Sequence, residues 1–209
     1  MKQLFCDLDG TLLDVSTRHY KVYCELMEKY HGNALPFAEY WDLKRKKTRW
    51  PDLLPMSGVP AAKLDPFLQD FIPKIEDPAY LKLDKPFPGS LEALQALANT
   101  YDCNLVSLRR NEQNLLAELG WLGIRKYFQH ILSGHSENDG YDVKIELIRQ
   151  HLGPEGGVIV GDTEADIVTG KELGLTTVAV LSGIRDESFL RALEPDYLIP
   201  SIAEIGSVL

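Results

Sequence analysis

The sequence predicts an α/β fold, a parallel β-sheet core interrupted early in the chain by an α-helical insertion. Three observations predict it. Across the second half, short apolar runs alternate with helix-length segments, the pattern of parallel strands joined by helical crossovers. From about Val15 to Lys85 no clear strand is evident, and apolar residues recur at helical spacing, as in Tyr20, Tyr23, Met27 and Tyr30. The insertion opens just after the first strand, at the edge where open α/β sheets place ligands, and an insertion there can act as a lid.

Taken in order, the expected strands are Gln3 to Leu8, Asn104 to Leu108, Phe128 to Leu132, Val158 to Val160, Thr177 to Val180 and Tyr197 to Ile199. Most are short and apolar, as strands buried on both faces should be. The expected helices between them are Leu91 to Ala98, Glu112 to Leu119, Val143 to His151, Ala165 to Leu173 and Glu187 to Leu193, with Gly120, Gly153 and Gly174 as C-terminal stops. Within the insertion, Pro51, Pro55, Pro60, Pro66, Pro73 and Pro78 are expected to break the chain into short helices, and Asp84 to Gly89 to form the exit linker. The domain expectation is therefore a core of residues 1–14 and 86–209 and a helical cap of residues 15–85.

Composition narrows the function. With 209 residues the chain can bury a full core, and 22 basic against 31 acidic residues give a net charge of −9. That balance argues against a nucleic-acid polymer or an anionic membrane as partner, while a small, locally neutralised anion stays allowed. No apolar stretch reaches the roughly 18 residues a transmembrane helix needs, and the N-terminus turns acidic at Asp7, too early for a signal peptide. Three cysteines, Cys6, Cys24 and Cys103, form neither an even framework nor a CxxC pair, so a reducing cytoplasm is expected. A monomer and a homodimer are both compatible with the sequence.

The chemistry-bearing residues begin at the carboxyl end of the first strand, in Asp7-Leu8-Asp9-Gly10-Thr11-Leu12-Leu13-Asp14. Strand alternation puts Asp7 and Asp9 on one side, and two converging carboxylates repel unless a cation or shared proton compensates. This run resembles the first motif of the haloacid dehalogenase-like superfamily of aspartate-nucleophile hydrolases. Asn104-Leu105-Val106-Ser107 resembles the second motif, Lys144 stands where the third has its lysine, and Gly161-Asp162-Thr163-Glu164-Ala165-Asp166 resembles the fourth. The order is right, the resemblance runs to the last strand, and the helical insertion resembles the phosphoglycolate phosphatase-like branch. Ile145 departs from that branch, where proline commonly follows the lysine.

The resemblance implies a Rossmann-like core and a Mg2+-dependent phosphatase acting on a small phosphorylated metabolite. It implies Asp7 as nucleophile, Asp9 as acid and base, Ser107 and Lys144 as phosphoryl-binding groups, and a metal site from Asp7, Asp9 through its main-chain carbonyl, Asp162 and Asp166. Lys144 is expected to be held by Asp166. The charge argument agrees, because a phosphate dianion repels an attacking carboxylate and an oxygen-lined site for a hard cation offsets this. Gly10 is expected to supply a turn and Thr11 a local hydrogen bond.

Taken singly, each residue has a bland alternative. Ser107 reads as a polar strand end, Lys144 as a solvated helix residue and Asp162 as a helix cap; their ordered co-occurrence favours the catalytic reading. Arg109 could equally reach a substrate group or pair with a surface carboxylate. The run Lys44-Arg45-Lys46-Lys47-Thr48-Arg49, bracketed by Trp41 and Trp50, holds five of the 22 basic residues and reads as a solvated face with its indoles in the cap core, with base stacking as the alternative. Cys6 is expected to be an inert buried thiol, and the five histidines have no metal-ligand spacing. A phosphosugar mutase on the same core, or a noncatalytic interaction module, would be the competing functions.

Overall fold

The computed structural model describes residues 1–135, 140–153 and 156–209. The chain divides into two compact units, Met1–Asp14 with Pro86–Leu209, and Val15–Lys85. In chain order β1 (Gln3–Cys6) and β2 (Leu13–Asp14) precede α1 (Ser16–Lys29), α2 (Phe37–Arg45), α3 (Trp50–Met56), α4 (Leu64–Ile75) and α5 (Pro78–Leu81). There follow β3 (Lys85–Pro86), α6 (Ser90–Ala98), β4 (Asp102–Ser107), α7 (Glu112–Trp121), β5 (His130–Ser133) and α8 (Tyr141–Arg149). The chain closes with β6 (Gly157–Gly161), α9 (Glu164–Glu172), β7 (Thr176–Val180), α10 (Glu187–Arg191) and β8 (Tyr197–Ile199).

Six strands form one parallel, Rossmann-like sheet in the order β5-β4-β1-β6-β7-β8. The chain leaves β1 toward β4 on one side and later returns to β6 on the other, so the order reverses around β1. Crevices beyond the carboxyl ends of strands at such a reversal are where open α/β sheets bind ligands. Alternation fixes which side chains enter the core: Phe5, Val106, Leu132 and Ile159 share one sheet face and pack with Ile148 of α8. Side chains of this size contribute roughly 1.5–3 kcal/mol each when fully buried.

The glycine stops differ from expectation in two places. Gly174 follows α9 with φ 65° as expected, but α7 runs through Gly120 and the left-handed turn falls at Gly123, φ 70°. Gly153 is not left-handed; its N–H donates to the Gln3 side chain at 2.6 Å.

The helical unit has its own core, in which Tyr23 stacks on Tyr40 with ring centroids 4.3 Å apart and Trp50 meets Phe67 at 4.6 Å. Its two chain ends are tied by a fully buried pair, Arg18 Nε to Asp84 Oδ1 at 3.0 Å, and Arg18 also donates to the Ile75 carbonyl. The expected breaks are seen only in part: Pro51 and Pro78 stand at helix starts, whereas Pro55 and Pro73 lie inside α3 and α4. Both helices end within two residues, so little regular helix is lost beyond the proline. No helix among the described residues is long and apolar enough to cross a membrane.

Candidate active site

Two strand ends and one helix bring the acidic residues together, and a second helix adds a lysine. The Asp7 N–H donates to the Val160 carbonyl at 3.0 Å, extending the β1 to β6 ladder by one residue. Being two residues beyond Phe5, Asp7 leaves the sheet on the face against which α8 packs. On α8, Lys144 lies one helical turn before the buried Ile148 and so shares its face. Its ammonium donates to Asp7 Oδ1 at 2.7 Å and to Asp166 Oδ1 at 2.6 Å.

Asp166 is fixed by the start of its own helix. Thr163 and Asp166 form a capping box, and Asp166 Oδ2 accepts from the Thr163 N–H at 3.1 Å and its hydroxyl at 2.8 Å. One Asp166 oxygen thus serves the helix terminus and the other serves Lys144. Asp162, just past β6, accepts from the Ile184 N–H at 2.7 Å and from the Thr11 hydroxyl at 3.4 Å. Thr11 therefore reaches across the loop rather than bonding locally as expected. Gly10, with φ 85°, passes close enough that a Cβ there would lie 2.2 Å from Asp162 Oδ2, so both its conformation and its contact require glycine.

Ligand oxygens of Asp7, Asp162 and Asp166 lie within 4.8 Å of one another, and all three residues are buried. Burial pushes the Asp7 carboxyl well above the usual carboxylate range, with the Asp166 and Asp162 charges adding to this and Lys144 opposing it. Burial and then Asp166 push Asp162 up to about 7. Burial works against the Lys144 charge, but Asp166 and Asp7 more than offset it and hold the ammonium above its ordinary value. Three carboxylates sharing one ammonium are a site short of positive charge. The all-oxygen donor set fits a hard divalent cation.

The Asp9 side chain does not join this cluster. Its two oxygens accept from Arg109, Oδ2 from Nε at 2.7 Å and Oδ1 from Nη2 at 2.6 Å. Arg109 follows β4 by two residues and its Nη2 also lies 3.1 Å from Glu118 Oε2. Of the two alternatives for Arg109, a substrate group or a surface carboxylate, the structure shows it paired with carboxylates, but these are Asp9 and a wholly buried Glu118. Ser107 ends β4, buried, and its Oγ accepts from the Arg109 N–H at 3.3 Å. Since Leu105 pairs with Cys6, Ser107 stands level with Leu8 at the same end of the sheet. Cys6 is buried on the opposite face, and burial raises its thiol pKa well above the ordinary value.

In the helical unit both indoles pack against the core, as expected. Lys46 and Arg49 are exposed, but Lys44, Arg45 and Lys47 are half-buried, and the Lys44 ammonium lies 4.8 Å from the centre of the Trp50 ring.

Sequence reasoning missed Glu118 and the segment Ser182 to Arg185. Glu118 carried a readable signal: it occupies the stripe Leu115, Glu118, Leu119, Leu122, and a charge on an apolar stripe implies a buried partner. The second segment carried none, because only the fold places it beside Asp162. There the Ser182 hydroxyl donates to the Gly10 carbonyl at 3.0 Å, and Arg185 forms a two-pronged pair with Glu164 at 2.7 and 3.0 Å.

The chain is similar to known proteins in sequence and in fold. The family described as haloacid dehalogenase-like hydrolase matches residues 4–180. The chain is 26% identical over 223 residues to the pyrophosphatase PpaX of Oceanobacillus iheyensis, covering 100% of this chain and 97% of that protein. It is 27% identical to the phosphoglycolate phosphatase of Agrobacterium fabrum, covering 97% and 90%. A haloacid dehalogenase-like family hydrolase from Streptococcus pneumoniae has the same fold, with a TM-score of 0.81 at 19% identity and coverage of 99% and 97%.

Proposed function

The chain belongs to the haloacid dehalogenase-like hydrolases, and on that premise we propose that it is a Mg2+-dependent phosphatase that hydrolyses a small phosphomonoester through an aspartyl-phosphate at Asp7. The observation that carries the reading is the pairing of Lys144 with both Asp7 and Asp166 inside a cluster that also holds Asp162. A helix residue buried that deeply keeps its charge only where carboxylates surround it. The names of the relatives, a pyrophosphatase and a phosphoglycolate phosphatase, support phosphoryl-group hydrolysis.

Asp7, Asp162 and the Asp9 main-chain carbonyl would hold the cation, with Asp166 holding Lys144 in place. When bound, Mg2+ supplies the charge that offsets repulsion between a phosphate dianion and a carboxylate. Asp7 attacks phosphorus, and the bond from phosphorus to the leaving oxygen breaks as Asp9 gives that oxygen a proton. Asp9 then takes a proton from water, whose oxygen attacks phosphorus and releases inorganic phosphate from Asp7. Lys144 and Ser107 bind the phosphoryl oxygens. The helical unit, residues 15–85, acts as the cap that selects substrate, and the three cysteines, all free, suit a cytoplasmic setting.

The test is a steady-state screen of phosphorylated metabolites with Mg2+, scored by kcat/KM for phosphate release. Release from at least one ester, abolished in Asp7→Asn, is expected. No release from any overturns the reading.

A further inference from the structure

Spacing along the sequence gives the five histidines no metal site, but the fold brings two of them together. His130 opens β5 and His151 stands two residues beyond α8, at the edge where the strands begin and so at the opposite end of the sheet from Asp7. The Gln3 side chain, from the start of β1, holds the chain there, donating to the His151 carbonyl at 2.7 Å and accepting from the Gly153 N–H at 2.6 Å. The two imidazoles lie with ring centroids 4.9 Å apart and planes inclined at 54°. His130 is exposed and His151 half-buried, so solvent reaches both.

Three features suit this pair to a bound cation. His151 Nδ1 lies 3.0 Å from the Leu147 carbonyl oxygen; a carbonyl only accepts, so in the neutral ring Nδ1 carries the proton and Nε2 keeps its lone pair. Metal-binding histidines are oriented in this way, by an N–H given to a main-chain carbonyl. The separation also fits: an ion about 2.0–2.1 Å from an imidazole nitrogen lies about 3.2 Å from the ring centre, so rings 4.9 Å apart on one ion subtend about 100°, close to the tetrahedral angle. Finally, Asn104 is level with His130 in the β4 to β5 register, so their side chains leave neighbouring strands on one face. Asn104 is buried, its Nδ2 donates to the Asp102 carbonyl, and its Oδ1 has no hydrogen-bond partner among the described residues. A buried acceptor is costly to leave open, and a water carried by a cation on the two rings is a donor for it.

We propose that His130 and His151 form a second cation site, separate from the carboxylate cluster, which takes a borderline transition-metal ion of the Zn2+ class through two imidazole nitrogens and completes its shell with water. Imidazole suits Zn2+, Cu2+ and Ni2+, whereas Mg2+ takes oxygen ligands, so the two sites sort their metals by donor chemistry. The ion joins the start of β5 to the end of α8, the helix that carries Lys144. Bound to the folded chain alone, it stabilises that state by mass action.

The test titrates Zn2+ into the full chain in Mg2+-containing buffer and follows both the heat of binding and the imidazole nitrogen resonances by NMR. The resonances of His130 and His151 should shift together along one binding curve. In His130→Gln and in His151→Gln the affinity at this site should fall by on the order of tenfold or more, the loss that even an outer partner of a metal ligand can cause, and a Zn2+-dependent rise in Tm should fall with it. Because the resonances are read residue by residue, zinc held by the carboxylate cluster or by a free cysteine is distinguished from zinc at this site. Unmoved His130 and His151 resonances at saturating Zn2+, a shift of only one of them, or affinity retained in either variant overturns the proposal. If circular dichroism shows that a variant has not folded, the wild-type resonances decide the matter by themselves.

Discussion

Gly183 lies against the carboxylate of Asp162 with no room for a side chain: a Cβ at residue 183 would fall 2.0 Å from Asp162 Oδ2. The next residue, Ile184, donates its N–H to that same oxygen at 2.7 Å. The loop after β7 thus fixes one oxygen of a buried acid whose position the proposed metal site depends on.

Gly183→Ala should therefore weaken cation binding more than it weakens the fold. The new methyl group must push Asp162 or the loop aside, a strain of about 1–3 kcal/mol by the usual cost of overpacking. Isothermal titration with Mg2+, and Mn2+ monitored by electron paramagnetic resonance, should show an affinity loss of tenfold or more. Unchanged affinity would mean that Asp162 does not need this support.

Phosphatase activity should vanish with excess chelator and return with Mg2+. In the proposed reaction a hard cation offsets the three buried carboxylates that face one ammonium, and Ca2+, with its larger and looser coordination, should restore little. Activity that persists in excess EDTA would remove the metal from the proposed reaction.

Asp9→Asn should separate the two half-reactions. An aryl ester such as p-nitrophenyl phosphate leaves without a proton donor, so formation of the Asp7 adduct partly survives, whereas its hydrolysis needs a base that asparagine cannot supply. After acid quenching, intact mass and peptide mapping should show phosphate on Asp7 in Asp9→Asn and none in Asp7→Asn. Wild-type turnover of an alkyl phosphate by Asp9→Asn would remove Asp9 from the acid and base roles.

Glu25 should give the helical unit an acid-sensitive component of stability. The hydroxyl of Tyr80, then Lys74 at 2.9 Å, hold its carboxyl down at about 2, below the ordinary value of 4.5. A lowered carboxyl contributes stability that is present above the unfolded value and lost as pH falls through the folded one. Wild type should thus lose more stability than Glu25→Gln between about pH 4.5 and 2, read from thermal melts. Parallel decline in the two proteins would show that the contacts contribute nothing net.

Much of this protein was determined by local sequence. Alternating apolar runs specify the strands because a residue buried on both sides of a sheet must be apolar, and the order of those runs around the Asp7 and Asp162 loops specifies where the strand ends lie. Asp7, Asp162 and Asp166 were legible because the runs that carry them resemble, in order, motifs of one hydrolase superfamily, whereas Asp162 taken alone reads as a helix cap. Apart from Lys144 with Asp166, which the resemblance implied, the tertiary structure alone decided the pairings. Lys144 meets Asp7 across 137 positions of sequence and Arg109 meets Asp9 across 100; a segment such as Ser182 to Arg185 carries no periodicity that points to Asp162. Periodicity reports which face of an element is buried, not which element buries it. The partner of a buried charge is set by how α7 and α8 pack on the sheet, and that follows from the sum of many apolar contacts, none of which involves the charge itself.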